Sequence, residues 1–167
     1  SLVLVADPAV PSGVALLDAP DVDSISDDNR QLAGQLLAAA DLWLFVTTAN
    51  RYADAVPWKL LLDAASRDIT VAVILDRVPP GAEQEVAADL REMLTREGLS
   101  GAQLFVIPEA PLDELGMLAA ATVAPINGWL TGISEDAAGR AEIVRRTLNG
   151  TVRSLADRLE VLSAAVQ

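Results

Sequence analysis

The chain has 167 residues, 51% of them hydrophobic but only 4% aromatic, which suits one α/β-sized domain filled by Ala, Leu and Val. A formal net charge of -12 repels phosphate backbones, and the basic residues, Lys59 and scattered arginines, form no cluster, so general nucleic-acid binding is excluded. With no cysteine and no histidine, disulfides, Cys/His zinc sites and Ser-His-Asp triads are excluded too, leaving carboxylates, hydroxyls and backbone amides for any chemistry.

The opening "SLVLVAD" has neither a basic flank nor a long apolar run, so no signal peptide is expected and the default location is cytoplasmic. Two apolar runs, "LVLVA" (2–6) and "VALL" (14–17), are separated by "DPAVPSG". That spacing is too short for a crossover helix and predicts an antiparallel hairpin. The second run ends on Asp18, followed by Ala-Pro and further acids. "DSISDDN" (23–29) reads as a solvated turn leading into a helix over 31–40.

"DLWLFVTT" (41–48) predicts a strand, 57–67 a helix with proline in its first turn, and the β-branched run "ITVAVILD" (69–76) a second strand. A helix over 83–97 is marked by Val86, Leu90 and Leu94, with Gly98 as its stop, and "AQLFVIP" (102–108) is the next buried strand. The uncharged stretch 115–134 has the length of a membrane span. Its Pro125, Asn127, glycines and threonines favour instead a helix buried against a sheet. Trp43, Trp58 and Trp129 lie in apolar periodic stretches and read as packing residues.

From Ser134, taken as an N-cap, apolar residues recur at Val144, Leu148, Val152, Leu155, Leu159, Leu162 and Val166. They predict an amphipathic helix, or two broken near Asn149-Gly150, that packs on the domain or begins a stalk. The expected division is therefore an α/β domain over 1–133 and a helical extension over 134–167.

Alternating strands and helices argue for an α/β sandwich with a mostly parallel sheet. Ligands in such sheets bind beyond the carboxyl ends of the strands, where Asp18, Thr47, Thr48, Asp76 and Glu109 are all expected. Arg51 and Tyr52 follow the 41–48 strand at the same edge. Each also has an ordinary reading as a strand end, cap or loop anchor.

The order "LLDAPDVDS", helix, "ADLWLFVTTANRYADAVPWKLLLDAA", "VAVILDRVPP", "LFVIPEA" resembles the later part of the G domain of the Ras-like, dynamin-like and Era-like GTPase class. It looks most like ATP/GTP-binding, dynamin-like proteins of actinobacteria. The resemblance covers about residues 2–130 and implies a three-layer P-loop-NTPase-like sandwich that binds GTP or ATP with Mg²⁺. It implies that Asp18 is the Mg²⁺-side carboxylate and that Asp18, Pro20 and Asp21 stand in the Asp-x-x-Gly segment, where Asp21 replaces the glycine. Asp76 and Arg77 fall where the family reads the base, with Pro79 in place of its aspartate, and Thr47 falls at the phosphate edge.

No Gly-x-x-x-x-Gly-Lys-Ser/Thr loop occurs in the 167 residues. The resemblance therefore implies a domain missing the strand between "VALLD" and "LWLFV" and unable to hydrolyse nucleotide alone: either the distal part of a larger nucleotide-binding protein, or a fold that closes the gap by a rearranged sheet or strand exchange between subunits. Any membrane association would come through regions outside this chain. The alternative is an inactive GTPase-shaped module whose C-terminal helices contact a partner or a second copy. A receiver-like phosphoacceptor is disfavoured by the lack of a lysine after a late strand.

Overall fold

The structure, a computed structural model, describes residues 3–20 and 27–165. Three strands, β1 (Leu42–Thr48), β2 (Thr70–Val78) and β3 (Gln103–Pro108), form one parallel sheet in the order β1-β2-β3. The helices are α1 (Asp27–Ala39), α2 (Ala55–Ser66), α3 (Glu83–Arg96), α4 (Ala120–Glu135) and α5 (Ala137–Ala165). The chain is thus α/β.

β2 is central, and its residues from Val71 to Leu75 are buried. This is why it reads as a continuous β-branched run rather than an alternating one. Residues of α2 and α3 (Leu61, Ala64, Ala87, Leu90, Leu94) pack with Trp43, Val71, Val73, Leu75 and Leu104 on one face. On the other, Ile126 and Trp129 of α4 pack with Ala72, Ile74, Phe105 and Ile107. Trp129 meets Phe105 edge-on at 5.6 Å between ring centroids, and the Trp43 indole N–H donates to the Leu37 carbonyl oxygen at 3.0 Å. All three tryptophans serve packing, Trp58 at the margin of the α2 side.

Helix stops are local. α3 ends with Gly98 at φ 79°, where Leu99 N–H donates to the Leu94 carbonyl and Gly98 N–H to that of Thr95. α2 ends the same way with Asp68 at φ 57°: Ile69 N–H donates to Ala64 and Asp68 N–H to Ala65. An aspartate tolerates this left-handed position better than most side chains, and its carboxylate is left free for another use.

Three expectations are corrected. Residues 3–20 form no hairpin. Asp7 closes a turn with its side chain on Ala9 N–H and its carbonyl on Val10 N–H, Val14 N–H donates to Pro11, and the flanking runs stay unpaired. An isolated two-stranded ribbon is marginal in water, and among the described residues none of this segment pairs with the sheet. Ser134 is not an N-cap: it lies in the last turn of α4, its hydroxyl donating to Thr131. Asp136 caps α5 instead, accepting Gly139 N–H at 2.8 Å. Of the turn expected over 23–29, residues 23–26 lie outside the described residues and α1 already begins at Asp27, and of the two forms expected for the C-terminal helix the unbroken one is found.

α5 docks at the amino ends of β1 and β2. Thr147 donates to the Asp41 carbonyl at 3.1 Å, Arg146 pairs with Asp68 at 2.5 Å, and buried Gly150 lies against the Arg67 carbonyl. The Arg146 guanidinium hydrogen bond holds the Asp68 carboxyl below its usual range; burial opposes this, and the charges of Arg146 and Arg153 reinforce it. Because the folded carboxyl is the stronger acid, its contribution is full above the unfolded pKa near ~4 and is lost as pH falls through the lower folded value.

We expect acid to weaken α5 docking by no more than about 1 kcal/mol, since solvent screens this half-exposed pair. Asp68→Asn keeps a residue suited to the left-handed backbone while removing the charge. Urea midpoints compared at pH 7 and pH 3 should therefore differ less in that variant than in the parent.

Among the described residues no helix is long and apolar enough to cross a membrane. The stretch 115–134 became the loop before α4 and α4 itself, packed on the sheet as its composition predicted.

Candidate functional site

The polar positions at the carboxyl edge follow from where the strands end. Thr47 is buried near the end of β1, and Thr48 lies opposite Asp76 in the β1–β2 register. The chain then turns sharply: Ala49 N–H donates to the Asp76 carbonyl, and both Arg51 and Tyr52 N–H to that of Thr48. β2 breaks register with β3 between Leu75 and Val78, which lets Asp76 and Arg77 stand at the edge before Val78 returns to the core.

Arg77 adopts φ 52°, a left-handed conformation that costs a side-chain-bearing residue roughly 1–2 kcal/mol. Its guanidinium lies 3.6 Å from the half-buried Asp76 carboxylate. Glu109 N–H donates to the Val78 carbonyl, while its side chain is exposed. Nearby, Tyr52 O–H donates to Asp89 at 2.5 Å; that hydrogen bond, then burial and the charges of Asp89 and Glu85, raise the phenol's pKa.

Thr47, Thr48, Asp76, Arg77 and Glu109 therefore share one edge. Asp18 does not join them. It is exposed on the extended segment before Pro20, and no hydrogen bond or ion pair links it to the edge among the described residues. The rigid strand that would have aimed its carboxylate is not formed. Asp21 lies outside the described residues. Among the described residues no three carboxylates converge into a group that could hold a metal ion.

Two concavities lie elsewhere. One, about 570 Å³, lies between Pro8, Pro11 and Gly13 and the α4–α5 junction at Thr131, Ser134 and Arg140; the other, about 240 Å³, is lined by Arg91, Leu99 and Gln103. Neither includes Thr47, Asp76 or Arg77. Thr47, Thr48, Asp76, Glu109 and Arg77 thus offer two hydroxyls, two carboxylates and a guanidinium but, among the described residues, no glycine-rich backbone cradle, and alone they do not fit a Mg²⁺-bound nucleotide.

What the edge has is an open neighbour. β1 is an outer strand, with no described segment paired on its far side. Val46, beside Ile74 on the α4 face, is 61% exposed because α4 packs over β2 and β3 and leaves the end of β1 bare. Of the five residues expected at this edge, Thr47, Thr48, Asp76 and Glu109 lie at strand ends and Asp18 does not, while the Tyr52–Asp89, Arg146–Asp68 and Gly150–Arg67 contacts were not foreseen. Gly150, a poor helix former inside a helical pattern, was the one available signal. Comparison with protein-family models, with curated proteins and with solved structures gave no match.

Proposed function

We propose that this chain is the distal half of a GTPase-like, P-loop-NTPase-type nucleotide-binding domain, completed by a strand and phosphate loop that add to the open edge of β1. One observation carries the reading: the bare side of β1 lies next to the polar carboxyl edge. A strand pairing in parallel with β1 would end its run beside Thr47 and Thr48, with Asp76 one strand further in. A glycine-rich loop following it would supply the backbone N–H groups the edge lacks.

In that assembly Val46 and the outer hydrogen-bonding groups of β1 are covered. The 3–20 segment, whose Val3, Leu4, Val5, Leu16 and Leu17 are exposed, gains sheet to pair with, which would bring Asp18 to the metal side. GTP or ATP with Mg²⁺ is the ligand class. This chain alone has no hydrolytic activity under the proposal, because its 167 residues contain no Gly-x-x-x-x-Gly-Lys-Ser/Thr loop to cradle the phosphates.

The test is titration calorimetry with Mg-GTP and Mg-ATP on this chain and on a longer chain that includes an upstream strand and phosphate loop. The expected result is binding by the longer form only, weakened at least about tenfold by Asp18→Asn. Equal binding by the parent and Asp18→Asn would remove Asp18 from the site. Absence of binding by the longer form would leave the second reading, a GTPase-shaped interaction module, which the exposed apolar face of α5 favours.

A further inference from the structure

The dipeptide Asn-Gly occurs twice, at Asn127-Gly128 in α4 and at Asn149-Gly150 in α5. It is the dipeptide most prone to lose its amide nitrogen, because a glycine nitrogen, unhindered by a side chain, can attack the asparagine side-chain carbonyl carbon. A continuous helix forbids the attack: its dihedrals turn the glycine nitrogen away from that carbon and hold its N–H in the helical ladder. Each pair is therefore as safe as the helical turn that contains it.

The two turns are held differently. Ile126 and Trp129 flank the α4 pair and seat on Ala72, Ile74, Phe105 and Ile107, and Leu130 beyond them is buried, so that turn opens only with the core. In α5, by contrast, Leu148, Asn149 and Val152 are all exposed. This turn is held by the pairing of Arg146 with Asp68, the Thr147 hydroxyl on the Asp41 carbonyl and the seat of Gly150 on the Arg67 carbonyl. Lifted off these contacts it is a stretch of lone helix with glycine in its middle, which is marginal in water. Release of α5 thus permits the break at 149–150 that docking suppresses.

We propose that Asn149-Gly150 is a self-modifying site, uncovered when α5 leaves the domain, and that its modification makes the release permanent. The inference is independent of any nucleotide site. In the released chain the Gly150 nitrogen bonds to Asn149 Cγ and the Cγ–Nδ2 bond breaks, ammonia leaving with the Gly150 amide proton. Solvent water then opens the resulting succinimide at either carbonyl, which leaves aspartate or isoaspartate at position 149. The sequence is a hydrolysis and needs no oxidant or cofactor. Isoaspartate adds one backbone atom between residues 149 and 150. Gly150 then cannot meet the Arg67 carbonyl while Arg146 and Thr147 reach their own partners.

The test follows both asparagines in the whole chain by peptide mass mapping, with aspartate and isoaspartate fragments separated, at one mildly alkaline pH. In the native parent Asn149 should be lost faster than Asn127, and in urea both should be lost rapidly. Arg146→Glu sets two acids face to face, and Asp68→Asn weakens the same contact without touching α5. They should speed the loss of Asn149 by at least about fivefold and about twofold respectively, leaving Asn127 unchanged. Modified chain returned to native conditions should stay open to proteolysis within α5.

Loss of Asn149 no faster than that of Asn127 in the native parent overturns the proposal, as does a rate that neither variant changes. An Asn149 that stays intact in urea removes the site. A modified chain as resistant to proteolysis as the parent overturns the permanence of release. Circular dichroism, with acceleration at Asn127, identifies a variant that has failed to fold; if Arg146→Glu does so, Asp68→Asn decides.

Discussion

Gly150→Ala is expected to destabilise the chain by about 3 kcal/mol, at the upper end of the overpacking range, or to detach α5 altogether. A methyl group at position 150 would fall inside the van der Waals envelope of the Arg67 carbonyl oxygen and against Arg67 carbonyl carbon. That carbonyl belongs to the fixed turn ending α2, where Arg67 and Asp68 N–H groups are bonded back into the helix, so backbone rather than a flexible side chain must yield. Separating the helix by the needed distance would also lengthen Arg146–Asp68 and Thr147–Asp41, so the three contacts fail together.

Urea unfolding gives the magnitude, and limited proteolysis after residue 137 distinguishes a strained docked helix from a released one. Gly128→Ala is the internal control. It is also in a helix, but nothing lies within 4 Å of its added methyl, so the ordinary propensity gain of about 1 kcal/mol should appear. Equal effects at the two positions would mean that Gly150 is not a contact point.

The same helix illustrates where sequence was sufficient and where it was not. The apolar stripe from Val144 to Leu159 was legible, because it depends only on spacing along one element. Which face docks was not, because it is decided by partners 78 and 106 positions away in the sequence. The strands over 42–48, 70–78 and 103–108 were legible to within about two residues, since short apolar runs bounded by turn residues have few other uses, and β2 is in addition β-branched and buried on both faces.

"LVLVA" and "VALL" have the same local appearance, but their described residues, 3–6 and 14–17, remain unpaired, because a strand also requires a neighbour with free backbone groups, and nothing in five residues specifies that neighbour. The site divided along the same line. Thr47, Asp76 and Arg77 lie at one sheet edge because they sit at the ends of paired strands, whereas the placement of Asp18 depended on a hairpin that the described residues do not form.

Leu75→Ala should cost about 3–5 kcal/mol, within the range for deleting a fully buried leucine side chain. Leu75 is wholly buried in the central strand, pairs in register with Thr47 on one side and Val106 on the other, and belongs to the cluster packed under α2 and α3. It is also the last paired residue before the register shift that sets Asp76 and Arg77 at the carboxyl edge. The cavity would therefore loosen both the core and the polar edge, and hydrogen exchange should rise most in β1 and β3, each paired on one side only among the described residues.

Val46→Ala supplies the contrast. In this chain it should change stability by less than about 1 kcal/mol, because the side chain is already 61% exposed. If a phosphate-loop strand and the helix following it cover the bare side of β1, the same substitution in the completed protein should cost about 1–3 kcal/mol, as a buried aliphatic truncation does. Chemical denaturation of the two lengths with and without Val46→Ala therefore reads the open edge directly: a penalty that grows with the longer chain places the added strand on β1, and an unchanged one removes it from there.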